Sequence, residues 1–248
     1  GSEMCIRDRL SPGYYYGALD YLISNAVVSG TEVIIRPGAV VGVAGTLVLG
    51  SNGKVRAAGE AGRQVRIVNC ANIQEGVTNS STGALMSLGS MAVADMRFCL
   101  VDGSGRNLYC DSGSNWRIWL RDSEVVGCRI NGWCNNGYGN EIGLTNNLIL
   151  GCNISYYQEN IAGYYPFVLR MYNNLIKGGG MSYTYKDSRT EWVVKDNMFD
   201  SDSLGVVQQG TIDASNNGYR SGLTSLGGSS NKVISVVSYE SGSYGKYY

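Results

Sequence analysis

Short apolar runs, rich in β-branched residues and cut by Gly, Asn, Asp and Ser, make up most of the chain. Val33-Ile34-Ile35, Thr46-Leu47-Val48-Leu49, Val65-Arg66-Ile67-Val68 and Val233-Ile234-Ser235-Val236-Val237 are typical. Runs of this length between turn residues predict strands. A helical period is confined to Gly17–Asn25, where Ala18, Leu19, Leu22 and Ile23 share one face. That spacing predicts a short cap helix within an N-terminal cap over residues 10–32, with an extended entry strand as the alternative.

The strand runs recur. Leu120-Arg121-Asp122-Ser123-Glu124-Val125 aligns with Leu144-Thr145-Asn146-Asn147-Leu148-Ile149, Met171-Tyr172-Asn173-Asn174-Leu175-Ile176 and Val194-Lys195-Asp196-Asn197-Met198-Phe199. Ala214-Ser215-Asn216-Asn217-Gly218-Tyr219 is a weaker copy, and Val93-Ala94-Asp95-Met96-Arg97-Phe98 a weaker one before the series. The steps between copies are 27, 24, 27, 23 and 20 residues. A propeller blade needs a longer period and a leucine-rich repeat a tighter Leu pattern. An all-β right-handed parallel β-helix over residues 33–248, with coils of 20–27 residues, fits both the length and its variability. Asn and Asp tolerate the left-handed backbone of a sharp bend, and stacked amides can bond one another along the axis. A ladder is therefore expected from Asp122, Asn146, Asn147, Asn173, Asn174, Asp196, Asn197 and Asn217. Asp95, Asp122 and Asp196 are expected in one column. Val125, Ile149, Ile176, Phe199 and Tyr219 should stack inside. About nine coils would give a rod of roughly 40 Å.

Pro37-Gly38-Ala39-Val40, Gly45-Thr46-Leu47 and Ala58-Gly59-Glu60-Ala61, with Arg63-Gln64-Val65 in place of a proline-led strand entry, carry a resemblance. They resemble the opening coils of bacterial secreted and surface right-handed β-helix proteins of the pectate-lyase-like superfamily. The tail from Ser215 to Tyr248 is similar to the end of such domains in large surface proteins, where the chain continues. The resemblance lies in repeat style over residues 30–248. It implies an extracellular or cell-surface bacterial location and a piece of a longer chain. For activity it implies little, because one fold hosts many functions.

Composition narrows the chemistry. Lys+Arg and Asp+Glu each count 20, so no net charge recruits nucleic acid or an anionic membrane. No apolar stretch reaches membrane-spanning length, so no membrane insertion is expected. Gly counts 35 and Pro only 3, as many tight turns require. With no His, His-dependent triads and His-ligated metals are excluded, and no P-loop or dinucleotide fingerprint occurs. Beyond Cys5 there are six cysteines, Cys70, Cys99, Cys110, Cys128, Cys134 and Cys152, none in a CxxC pair. Cys128 with Cys152, and Cys110 with Cys134, could form disulfides between coils or remain buried thiols. Gly1-Ser2 resembles a tag scar, and Met4-Cys5-Ile6-Arg7-Asp8-Arg9 resembles translated adapter sequence of metagenomic reads. Residues 1–9 are therefore set apart as a leader.

Tyr counts 18 against 3 Phe, which suits a wetted apolar surface. Trp116, Trp119 and Trp192 belong to this pattern. Trp133, Tyr138, Tyr156, Tyr157, Tyr164, Tyr165, Tyr183 and Tyr185 cluster between ladder motifs and are the candidate carbohydrate-binding flank. The leading expectation is a non-catalytic structural spacer that binds polysaccharide or a neighbouring module, with no cofactor or metal. One alternative is a calcium-dependent polysaccharide lyase. Its carboxylates would come from Asp95, Asp102, Asp122, Asp196 and Asp200, and its base from the group Lys177, Lys186, Asp187, Arg189 and Glu191. The other alternative is a self-assembling filament or surface-layer subunit.

Overall fold

The computed structural model describes residues 19–70, 83–110, 115–134, 139–158, 167–185, 191–208, 212–239, 241–242 and 245–246. Among these the chain is all strand and turn, with no helix. Three parallel sheets, of ten, eight and eight strands, are visited in rotation as far as Gly218–Arg220, after which Lys232–Ile234 adds again to the ten-stranded sheet; this makes a parallel β-solenoid. We call them sheets one, two and three. In one coil Glu124–Val126 lies in sheet one, Arg129–Cys134 in sheet two and Glu141–Thr145 in sheet three. The next coil repeats this with Leu148–Leu150, Asn153–Gln158 and Val168–Tyr172. Along the ladder from Ser123 to Asn217, residues equivalent in neighbouring coils lie 24, 27, 23 and 20 positions apart, at Ser123–Asn147, Asn147–Asn174, Asn174–Asn197 and Asn197–Asn217.

The expected cap helix is not found among the described residues. Tyr21–Ile23 is a strand that pairs in parallel with Val40–Val43, and Ala26–Val28 pairs with Leu47–Leu49. The i, i+4 spacing of Leu19 and Ile23 imitates a helix, but the edge of the next coil satisfies the backbone as strand.

The bend from sheet three to sheet one explains the Asx motif. Its first residue is left-handed in six successive coils: Phe98 (φ 48°), Asp122 (52°), Asn146 (57°), Asn173 (53°), Asp196 (58°) and Asn216 (58°); Ser230 (58°) takes the same conformation before the last strand of sheet one. The second residue is buried and bonds along the stack. Asn147 Nδ2 donates to Asn174 Oδ1 (3.0 Å), Asn174 Nδ2 to Asn197 Oδ1 (2.8 Å) and Asn197 Nδ2 to Asn217 Oδ1 (3.1 Å). The Ser123 backbone N–H donates to Asn147 Oδ1 at 3.1 Å, and that of Asn217 to Asn231 Oδ1 at 2.8 Å. Asn147, Asn174, Asn197 and Asn217 thus form the inner ladder. Asp122, Asn146, Asn173 and Asp196, expected in the same ladder, are the left-handed bend residues outside it. Of these, Asn146 Nδ2 donates to Asp122 Oδ1 at 3.0 Å.

The earliest copy of the repeat is offset from its expected register. Met96 faces Leu120, and Asp95 faces Trp119. Asp95 is therefore a strand residue and leaves the Asp122–Asp196 column. Phe98 takes the bend and Cys99 the ladder place, where the Cys99 N–H donates to Ser123 Oγ at 3.0 Å.

The bend from sheet one to sheet two uses left-handed glycines at Gly127, Gly151 and Gly178, each followed by a small residue. At Gly179 a Cβ would stand 2.1 Å from the Cys152 carbonyl oxygen, so no larger residue fits. Cys128 and Cys152 are buried free thiols in this column, and the Cys128 N–H donates to Cys152 Sγ at 3.3 Å. The register sets Cys110 opposite Gly132 and Cys134 opposite Gln158, so the strands do not align Cys110 with Cys134.

Inside, Val101, Val125, Ile149, Ile176, Phe199 and Tyr219 form one fully buried column, as the repeat predicts. The Phe199 and Tyr219 rings stack at 5.1 Å. The sequence offers no sign of Arg106, which is buried and pairs with no carboxylate among the described residues. Its guanidinium donates to the carbonyls of Val43 (2.7 Å), Ala84 (2.7 Å) and Gly45, and to Asn69 Oδ1 (3.0 Å). It pins three successive coils together.

Candidate functional site

Strand alternation decides which side chains can meet a ligand. On sheet two, Asn131 faces Ser155, Ser155 faces Ser182, and Ser182 faces Gly205. Ser155 and Ser182 are exposed, and Asn131 donates to Asn107 Oδ1 at 3.4 Å. Two positions further along the strands, Trp133 is in register with Tyr157, and Tyr157 with Thr184. Tyr157 and Thr184 are half-buried. This is a narrow polar strip with an aromatic-bearing row beside it.

The intervening positions point inward. Tyr156 and Tyr183, expected on the carbohydrate-binding flank, are fully buried. They pack in the core with Trp116, Phe167 and Trp192, at centroid distances between 5.5 Å (Tyr156–Tyr183) and 6.4 Å (Tyr156–Trp192). The reason is parity: in Tyr156-Tyr157 only one ring can face out. Gly132 in the same inward column makes room, since a Cβ there would lie 2.7 Å from Ile142 Cδ1. Tyr183 donates its hydroxyl to Met171 Sδ at 3.2 Å, and burial raises its pKa well above the usual tyrosine value. The backbones of Trp133 and Tyr185 are described, but not their side chains, and Tyr138, Tyr164 and Tyr165 lie outside the described residues.

Among the described lyase candidates, Lys177 and Asp200 come together, in register on neighbouring strands. Lys177 and Asp200 lie on sheet one, Glu191 begins a strand of sheet three, and Lys186, Asp187 and Arg189 lie outside the described residues. Lys177 Nζ sits 3.8 Å from the Tyr239 ring centre, and the Tyr239 hydroxyl donates to Asp200 Oδ2 at 2.6 Å. Asp102 accepts from the Ser104 N–H and hydroxyl. Asp122 accepts from the Asn146 amide and from Arg97, and both hold its carboxyl below the usual aspartate value, the amide most. Glu124, half-buried on the outer face of sheet one, is shifted the other way by burial. Among the described residues no group of three or more Asp, Glu, His or Cys is placed to hold a metal ion.

The outer face of sheet three is a lattice of ion pairs. Arg56 meets Glu32 (3.1 Å), Arg121 meets Asp95 (2.6 Å) and Arg170 meets Glu141 (2.6 Å). Arg97 meets Asp122 (3.0 Å) and Lys195 meets Asp213 (2.6 Å). Trp119 stands among these charges, half-buried. The sequence pattern sets Trp119 among the aromatics but not among the candidate binding residues. Its outward parity within Arg117–Arg121, between inward Ile118 and Leu120, is the signal that separates it from Trp116.

No protein-family model matches the chain, and no curated protein or solved structure matches it.

Proposed function

We propose that this chain is a non-catalytic β-helix module of an extracellular or cell-surface protein, acting as a rigid spacer that binds polysaccharide along the outer face of sheet two. The observation that carries this reading is the register of Asn131, Ser155 and Ser182 beside Trp133, Tyr157 and Thr184. Hydroxyls and amides repeat at the strand spacing, about 4.8 Å, next to a row with aromatic rings. Sugars present hydroxyl edges and apolar C–H faces to such a surface. An extended polymer suits a surface that is itself a linear repeat. The resemblance to pectate-lyase-like β-helix proteins agrees with a carbohydrate ligand and a surface location, and belongs to this proposal.

The test is a polysaccharide screen on the purified chain with and without calcium, reading retention and the absorbance of unsaturated sugar products. Retention without product supports the module. Calcium-dependent product replaces it with a lyase.

A specific observation favours assembly as a second reading. Tyr21 (64%), Val27 (73%) and Ile34 (59%) in the first described coil, and Val233 (70%) and Val236 (76%) near the other end, are largely exposed. Apolar surface at both ends suits stacking of copies. Light scattering across a concentration series tests it: a constant monomer mass sets it aside.

A further inference from the structure

We propose that Trp119 is a second saccharide platform, on sheet three, where one pyranose ring stacks on the indole while its hydroxyls bond the charged side chains on either side. This inference rests on the carbohydrate-binding reading above. Trp119 faces Asp95 in the preceding coil and Gly143 in the following one, and Gly143 faces Arg170 in the coil after that. A Cβ on Gly143 would lie 2.9 Å from Trp119 Cδ1, so the indole lies over the glycine and needs its bareness. The Arg117 guanidinium carbon is 5.9 Å from the ring centre. Arg121 with Asp95 (2.6 Å) borders the ring on one side. On the other, Glu141 binds Arg170 at 2.6 Å and reaches Arg117 only at 4.0 Å.

The placement is unlike that of the core tryptophans. Trp116 and Trp192 are at most 1% exposed, within the aromatic cluster. Trp119 instead is half-buried on a charged face. A flat apolar ring bordered by guanidinium and carboxylate forks offers both halves of sugar recognition: stacking for the C–H face, and charge-assisted bonds for adjacent hydroxyls. The loosely held Arg117 has donors to give.

The test is affinity electrophoresis of the full chain in native gels containing xylan, glucomannan, dextran, alginate or hyaluronate. The wild type is retarded in at least one gel. There Trp119→Ala weakens binding about tenfold, Gly143→Val does likewise by displacing the indole, and Trp119→Phe retains most of the retardation. Thermal midpoints run in parallel separate lost binding from lost fold. If a gel retards the wild type and Trp119→Ala equally, while Tyr157→Ala escapes, the platform is overturned and the sheet-two reading stands. If no gel retards the wild type, both are overturned.

Discussion

Replacing Asn174 with alanine should damage the solenoid far more than replacing its neighbour Asn173. The Asn174 side chain makes four hydrogen bonds in the core. Its Oδ1 accepts from the Asn147 backbone N–H and from Asn147 Nδ2, both at 3.0 Å. Its Nδ2 donates to the Leu144 carbonyl at 2.9 Å and to Asn197 Oδ1 at 2.8 Å. In Asn174→Ala the Asn147 backbone N–H and one Asn147 amide hydrogen lose their acceptor. Asn197 Oδ1 keeps a donor, the Asn174 backbone N–H at 3.0 Å. Two orphaned buried donors at about 1–3 kcal/mol each give a loss of roughly 4 kcal/mol. Asn173 is exposed, with φ 53°, and its replacement by alanine costs only the left-handed backbone, about 1–2 kcal/mol. Asn173→Gly removes even that. Guanidinium unfolding, followed by the fluorescence of the buried Trp116 and Trp192, measures all three. If Asn173→Ala and Asn174→Ala shift the midpoint equally, the division into bend residue and ladder residue is wrong.

Other perturbations follow from the same geometry. Arg106→Met takes the guanidinium donor from the carbonyls of Gly45 and Ala84, while that of Val43 keeps the Cys70 N–H at 3.1 Å, and should cost about 2–4 kcal/mol in the same unfolding assay. Tyr156→Ala removes a ring from the aromatic cluster and should cost about 3–5 kcal/mol, lowering the thermal midpoint whether or not a glycan is present. The Asp122 carboxyl is held low by Asn146 and Arg97, so its contribution is full above the ordinary aspartate pKa and lost as pH falls through the lower folded value. In Asp122→Asn the acid limb of the stability profile should flatten there, as circular dichroism melts across acidic pH would record. Burial pushes the Cys99 thiol up to about 12. Cys70, Cys99, Cys128 and Cys152 are all buried free thiols, and at pH 8 a thiol reagent should label them only after denaturant is added.

The parts of this fold that could be read from sequence are those where one residue type answers one local demand. Left-handed bends select Asn and Asp, and the inner column selects aliphatic or aromatic residues, so the coils from Leu120 to Tyr219 were legible. The coil before them was misread by three residues. Asp95 imitates the bend residue, whereas Phe98 occupies the bend and Cys99 the ladder place through contacts with the next coil. The site was less legible because adjacent rings in a strand have opposite fates. Tyr156 fills the space left by Gly132, and that vacancy is visible only once the register is known. Leu19 and Ile23 imitated a helical face, although nothing local decides between helix and strand until Val40–Val43 supplies a partner edge. Arg106 carried no signal at all: in Gly103-Ser104-Gly105-Arg106 it reads as a solvated turn residue, and its acceptors come from coils far away in sequence.

We propose that the stacked coils bind an extended polysaccharide without cutting it. Calorimetric titration of the chain, in calcium, with an oligosaccharide length series from the polysaccharide that retains it tests this most directly. Affinity should rise with length until the sugar spans the strip from Asn131 to Ser182, with the oligosaccharide recovered intact. Affinity that is the same for the monosaccharide and the long oligomer, or recovery of shortened unsaturated products, would contradict it.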